Sequence, residues 1–312
     1  MDALSAIVAL LRPQAVVAKV MHGAGRWGVR YSAFGHPGFS LVLQGPCYLA
    51  VDGEEPVMLE TGDFVLLPST PAFTLASGPK VKPKPMRPDP SGQAVDEVFH
   101  GDPAMKPSAS LLGGYFAFDP VNATVISDLL PRFLHIRAGD PAVECIRPII
   151  GLVKREALGS RAGRSLVLAR LVEILLVEAL RSSPAEVAHA GFLAGLRDPQ
   201  LASALRLIHL RTSEPWSLVS LAQEAGMSRS SFAERFARIV GRAPMDYLLQ
   251  WRLAVAKNLL ARENMTVAEV AMAVGYESAS GFSTAFSRET GQAPKEFAKA
   301  ERGVAQPWDK AM

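Results

Sequence analysis

The period of apolar and polar positions changes near residue 143. Before that point short runs of β-type residues alternate with turn signals. Phe39–Leu43, Cys47–Val51, Val57–Leu59 and Phe64–Leu67 are separated by Gly45-Pro46, Asp52-Gly53 and Thr61-Gly62-Asp63. Short strands punctuated in this way predict an antiparallel barrel or sandwich. Leu4–Leu11 reads as a leading helix, and Tyr115–Phe118 and Phe133–Ile136 as further strands, with a helical turn over Ser127–Leu130. Residues 77–110 interrupt the pattern with prolines at 79, 83, 85, 88, 90, 103 and 107, and with Lys80, Lys82, Lys84 and Arg87. Proline fixes φ and removes a backbone donor, so this segment is expected to break helix and sheet and to run out into solvent.

From Val143 onward the pattern is helical. Over Arg164–Arg181 apolar residues recur at 167, 168, 171, 174 and 175, which predicts an amphipathic helix of about five turns. Arg170, Glu173 and Glu178 interrupt it too often for a membrane span. Ser182-Ser-Pro184 ends it. The expected class is α+β with two domains: a β-rich domain over 1–182, a linker over 183–198 and an all-α domain over 199–300. A chain of 312 residues has the length for two domains.

The all-α part contains an internal repeat. Leu221-Ala-Gln-Glu-Ala-Gly226 is echoed by Val270-Ala-Met-Ala-Val-Gly275, Ser231–Phe236 by Gly281–Phe286, and Gly241-Arg-Ala-Pro244 by Gly291-Gln-Ala-Pro294. The offset grows by one residue between the first pair and the second. The insertion falls in the turn, where insertions are tolerated best. Each copy has the chemistry of a helix-turn-helix. Ala222 and Ala271 are small enough for close helix approach, and Gly226 and Gly275 provide a left-handed turn. Ser228 and Ser278 are placed to cap the second helices. Phe232 and Phe236, like Phe282 and Phe286, are four apart and face inward. That leaves Arg229, Ser230, Ala233 and Glu234 outward in the first copy, and Ala279, Ser280, Ser283 and Thr284 in the second. Met245–Ala261, with Leu248, Trp251, Leu259 and Leu260 on an apolar face, reads as a rigid connector roughly 25 Å long.

Charge agrees with this division. From Pro199 onward there are 14 Lys and Arg against 11 Asp and Glu, whereas the first 198 residues hold 19 of each sign. The whole excess of +3 therefore sits with the repeat, where phosphates would be met. The N-terminus lacks a basic segment followed by a long apolar core, so no signal peptide is read. Two cysteines, Cys47 and Cys145, exclude a disulfide framework or a cysteine-rich zinc site, and both are expected to be buried structural thiols. The six histidines show no ligand spacing, so no metal or other cofactor is expected.

On these residues the chain resembles the AraC/XylS family of transcription regulators. Leu221-Ala-x-x-Ala-Gly-Met-Ser-x-Ser-x-Phe232, Pro244-Met-x-Tyr-Leu-x-x-Trp-Arg252, Ala271-x-x-Val-Gly-Tyr-x-Ser278 and Phe282-x-x-Ala-Phe286 carry the likeness over about residues 200–299. One departure is Pro294-Lys-Glu-Phe-Ala-Lys299, where the family usually has Tyr-Arg after the proline; Phe297 keeps the packing and loses the hydroxyl. The resemblance implies that the eight outward residues named above reach base edges of double-stranded DNA, with Arg238, Arg252 and Arg288 on phosphates. It also implies that a monomer reads two major-groove segments about one turn, roughly 34 Å, apart.

Trp27-Gly-x-Arg30, Leu43-x-Gly45, Leu59-x-x-Gly-Asp-Phe-Val-Leu-Leu-Pro68, Gly113-Gly-Tyr-Phe-Ala-Phe118, Leu129-Leu-Pro131 and Leu134-His-Ile136 look like the cupin-type domain of one branch of that family. Relatives there often have histidine where this chain has Ser40 and Phe73. The resemblance implies a cupin-like barrel that binds a small-molecule effector or serves as a dimerisation platform. The expected seam of a homodimer is the helix over 164–181, through Leu171, Ile174 and Leu175; burial of that face against its own barrel is the competing reading. The expected protein is a non-enzymatic regulator, activator or repressor, with DNA, the effector and RNA polymerase as partners. It is expected in the cytoplasm on the nucleoid, away from the membrane. Three rivals are a cupin enzyme with a DNA-targeting module, a repair protein with activated cysteines, and an architectural DNA binder of little sequence preference.

Overall fold

The computed structural model describes residues 2–87, 97–119, 121–122, 133–140, 144–182 and 191–303. The helical turn expected over Ser127–Leu130, the run Leu129–Pro131 and residues 183–190 of the linker lie outside them.

Eleven described strands form two sheets. β1 (Gln14–Ala24), β3 (Gly38–Gln44), β6 (Phe64–Leu67), β9 (Glu97–Gly101), β10 (Ala109–Ala117) and β11 (Leu134–Ile136) make one, in the order β11-β6-β3-β10-β1-β9. β2 (Gly28–Tyr31), β4 (Cys47–Val51), β5 (Val57–Leu59), β7 (Phe73–Ala76) and β8 (Lys84–Met86) make the other, in the order β5-β4-β7-β2-β8. Side chains from both sheets share one core: Met21, Val42, Val65 and Leu111 from the first, Val29, Leu49, Leu59 and Leu75 from the second. The residue pattern follows position. β6 is buried along its whole length between two neighbours and is apolar throughout, whereas β4 alternates buried and half-buried residues.

Two expectations change here. The sheets are not purely antiparallel, because β9 pairs parallel with β1 and β8 parallel with β2. The described parts of the proline-rich segment also join the sheets: β8, β9 and the start of β10 lie within 77–110, and residues 88–96 lie outside the described residues. The reason is placement at the margin. β8 and β9 are edge strands, and an edge tolerates Pro85 because one side of it needs no donor.

Behind β1 lies a helical pair, α2 (Ile146–Ala157) and α3 (Arg164–Ser182), with α3 packed on the strand. Glu173 Oε1 of α3 accepts a bond from Ala15 N at 3.2 Å. Leu175 is fully buried in this unit, so it cannot face a partner subunit, and Leu171 is half-buried. Ile174 is 50% exposed, with Leu166 and Val167 also on the surface. Cys47 is buried, and burial together with the nearby Asp63 carboxylate pushes its thiol up to about 12. Cys145, expected to be buried as well, is exposed, because it stands just before the first turn of α2.

The second compact unit is helical. It comprises α4 (Phe192–Arg197), α5 (Leu201–Leu210), α6 (Leu218–Glu224), α7 (Arg229–Val240), α8 (Pro244–Arg262), α9 (Val267–Ala273), α10 (Ala279–Thr290) and α11 (Pro294–Gly303). Residues 192–197, expected within a linker, therefore belong to a helix. Two pieces from the N-terminal part of the sequence join this unit: α1 (Ala3–Leu11) and the described residues of 118–130. The helix α1 buries Ala3, Ala6, Ile7, Leu10 and Leu11, and it packs on α5 and α8. Val121 enters the core around α8 to α10, and the buried Asp119 accepts a bond from Arg262 at 2.9 Å. Spatial compactness thus divides the chain differently from a cut at 182 and 199.

Candidate nucleic-acid interface and ligand cavity

α6 with α7, and α9 with α10, are two copies of one helix pair. Ser217 caps α6 and Thr266 caps α9, each in a reciprocal capping box. Leu221 and Ala222 are buried in the first copy, Val270 and Ala271 in the second. The turn repeats in detail: Met227 N donates to Ala222 O and Tyr276 N to Ala271 O, both at 2.9 Å. Gly226 and Gly275 take φ of 62° and 81°, the left-handed region the turn requires. Ser228 then accepts from Ser231 N at 3.2 Å, and Ser278 from Gly281 N at 3.1 Å. The phenylalanine pairs Phe232–Phe236 and Phe282–Phe286 are fully buried, with ring centroids 5.5 Å apart in both copies.

The rod α8 braces the copies from its two ends. Near its start Tyr247 packs edge-on to Phe236, with ring centroids 5.6 Å apart. Farther along, Leu253, Ala256 and Leu260 pack with Phe282, Phe286 and Phe297. Nineteen residues make a rod about 28 Å long. With this core inward, the first turns of α7 and α10 are left at the surface. Arg229, Ser230, Glu234, Ser280 and Thr284 are exposed, and Ala233, Ala279 and Ser283 half-exposed. Arg238 and Arg288 are exposed too, the latter 2.9 Å from Glu289.

Arg252 is a correction. Its Nε donates to Thr212 O at 3.1 Å and its Nη2 to Glu214 O at 2.6 Å, so it clamps the loop before α6 and does not reach for phosphate. Its acceptors are backbone carbonyls on another element, which no side-chain pattern announces. Asp198 carried no sequence signal either. Its Oδ1 caps α5 through Gln200 N and Leu201 N, and its Oδ2 holds Arg235 of α7 at 2.7 Å. Burial raises its pKa, but Arg235 and the two backbone donors outweigh that and hold it below the usual carboxylate range.

His209 lies under this scaffold. Its ring packs tilted against Trp251 with centroids 3.9 Å apart, it shares a hydrogen bond of 2.8 Å with Tyr247, and burial lowers its pKa to about 3. The unfolded chain therefore binds one more proton than the native state between about pH 6.5 and 3, and stability falls as pH falls through that window. Relative to His209→Gln, the wild type should lose about 2 kcal/mol between pH 7 and 5 in urea denaturation. A difference that stays constant with pH would exclude a buried neutral histidine.

The β-sheet unit contains a cavity of about 170 Å³. Aliphatic and aromatic side chains form most of its wall, and Ser40 and Phe73 are both among them. Among the described residues, no histidine, cysteine or acidic side chain lines it.

Comparison with known proteins agrees with this geometry. A cupin family model matches residues 2–184, more than half the chain, and a helix-turn-helix domain model matches residues 221–300. An AraC-like transcription regulator of Streptomyces lividans is 34% identical over 307 residues, covering 96% of this chain and 98% of the relative. The chain belongs to the AraC family. A second AraC-like transcription regulator, from Streptomyces antibioticus, is 32% identical over 96% of this chain and 99% of its own length. The transcriptional regulator AlkR of Acinetobacter baylyi is 35% identical over 54% of this chain and 56% of its own. This AraC-family chain is thus a DNA-binding transcription regulator with an N-terminal cupin domain, not an enzyme. Among the described residues no helix is long and apolar enough to cross a membrane.

Proposed function

We propose that α7 and α10 enter successive major grooves of one duplex, that their exposed first turns read bases, and that a small molecule in the cupin cavity controls the binding. The observation that carries the reading is duplication with exposure: two identically capped helix pairs, braced by one rod, each present an open N-terminal face. Arg229, Ser230, Glu234, Ser280, Ser283 and Thr284 supply polar contacts, and Ala233 and Ala279 apolar ones. Arg238 and Arg288 meet phosphates.

Connectivity supports control from the cavity. Leu111, Gly113 and Tyr115 of β10 line it, and the chain then runs directly into Asp119 and Val121, which pack in the helical unit. A shift of β10 on ligand binding therefore has a covalent route to the DNA-binding helices. Ile174, with Leu166 and Val167, forms the exposed apolar stripe that a homodimer seam would use. RNA polymerase is the further partner that transcription control implies, and binding to chromosomal DNA would place the protein on the nucleoid.

Arg229→Ala and Arg238→Ala separate base reading from phosphate contact. The first should cost about 1–3 kcal/mol at one base position and relax preference there. The second should weaken all sequences alike and lower the salt slope of log K by about 1. A uniform loss from both, measured by fluorescence anisotropy across salt, would remove the assignment of Arg229 to bases.

A further inference from the structure

We propose that the cupin cavity takes a compact apolar molecule with a single carboxylate, which Lys19 holds beside Gly113. This rests on the reading of the cavity as the effector site, and it specifies the chemistry of the effector.

Strand register places the groups. Lys19 of β1 pairs with Gly113 of β10, and Gly113 pairs with Ser40 of β3. Directly paired residues project to the same face of a sheet. The next row on that face, Met21, Leu111 and Val42, belongs to the shared core, so the Lys19 row faces inward as well. Glycine leaves a gap in the middle of the row: a β-carbon at Gly113 would find only Phe39 O within 4 Å, at 3.8 Å. Successive strands are about 4.8 Å apart, so the Lys19 and Ser40 backbones stand roughly 10 Å apart across that gap. An ammonium and a hydroxyl thus flank a slot floored by backbone.

Among the described residues nothing compensates the charge in this slot. Lys19 is half-buried, no hydrogen-bond or ion-pair partner is found for it among those residues, and none of the described residues that line the cavity is acidic. A cation held against apolar walls without a partner is unfavourable, and an anion in the slot relieves that cost. The second cation on the lining, Arg87, is exposed and adds to the attraction for anions.

The walls and the volume set the rest of the molecule. Tyr31 stacks on Phe73 with centroids 4.9 Å apart, and Phe34 meets Tyr115 edge-on at 5.0 Å; all four rings line the cavity. An apolar cavity of about 150 Å³ accepts benzene, so about 170 Å³ takes a body of ring size with a small substituent. One charge, at one end, completes the fit.

The test is calorimetric titration of the full chain with benzoate, benzyl alcohol and benzylamine, three ligands of one size and different charge. Benzoate is expected to bind at least tenfold more tightly than benzyl alcohol, with benzylamine weakest. Lys19→Met should lose at least tenfold in benzoate affinity and leave benzyl alcohol unchanged, and Lys19→Arg should restore benzoate. Equal binding of benzoate and benzyl alcohol, an unaffected Lys19→Met variant, or binding of none of the three overturns the proposal; an unaffected variant would show that Lys19 only extends its stem along the wall. DNA affinity measured with and without saturating ligand keeps the two readings apart. Lys19-dependent benzoate binding that leaves DNA affinity unchanged would uphold the ligand class and remove the effector role. A change in DNA affinity with benzyl alcohol alone would do the reverse.

Discussion

Gly275→Val is expected to unfold the second helix-turn-helix, whereas Gly226→Val weakens the first and leaves it folded. Both glycines have positive φ, so either substitution incurs backbone strain of about 1–3 kcal/mol. Their surroundings differ. A β-carbon at Gly226 meets nothing within 4 Å, but at Gly275 it lands 2.6 Å from Arg252 Nη2 and 2.7 Å from Ser213 O. The second contact is with backbone, which cannot turn aside, and the first dislodges the arginine clamp. Crowding of this kind adds about 1–3 kcal/mol, and the lost clamp adds more. The total approaches the marginal stability of a domain, about 5–15 kcal/mol. Asparagine tolerates the left-handed conformation, so Gly226→Asn should be nearly native and Gly275→Asn should not. Thermal unfolding of the four variants checks this, and equal tolerance at the two positions would show that the turn at Gly275 is open.

Arg252→Ala is expected to destabilise the helical unit by about 2–3 kcal/mol and to leave the salt dependence of DNA binding unchanged. The guanidinium is half-buried and donates to two carbonyls from the loop that leads into α6. Hydrogen bonds from charged donors contribute about 1.5–3 kcal/mol each, discounted here because the Glu214 contact is exposed. Lysine lacks the planar fork that reaches both carbonyls, so Arg252→Lys should rescue little. A phosphate contact would behave otherwise, with little change in urea midpoint and a salt slope lowered by about 0.9. The pair of measurements therefore decides between a clamp and a DNA contact.

The contrast between Arg252 and the residues around it shows what the sequence made legible. Ala222, Gly226, Ser228, Phe232 and Phe236 each answer a local demand: close approach, positive φ, an orphan N–H, an inward face. Such demands repeat when the unit repeats, and the second copy can be read against the first. The acceptors of Arg252 lie 38 to 40 residues away on the backbone, where no periodicity points. Asp198 and Arg235 are 37 apart and equally silent. Leu175 fails as a seam residue for a related reason. A helical stripe shows which residues are apolar, but not whether the protein's own sheet or a partner covers them.

In the front half, strands with clean runs such as Phe64–Leu67 were visible, and β1 was not. Its sequence, Gln14 to Ala24, mixes alanine, lysine, histidine and glycine, and its register shifts between Val16 and Lys19. An irregularity of that kind breaks the alternation on which the reading of a strand depends. The register recovered beyond it is what turns Lys19 inward, so this cation of the cavity lining could not be recognised from pattern alone. β8 was hidden by a proline that an edge tolerates, and both β8 and β9 by parallel partners far away in the chain.

The most direct test of paired groove reading is selection of binding sites from random DNA by the full chain, by Glu234→Ala and by Thr284→Arg. The wild type should select two sequence blocks separated by about one helical turn, roughly 10–10.5 base pairs centre to centre. Glu234→Ala should relax one block only, and Thr284→Arg should rewrite the other. A single undivided block, the same block altered by both variants, or selectivity unchanged by either would contradict the reading of two grooves by α7 and α10.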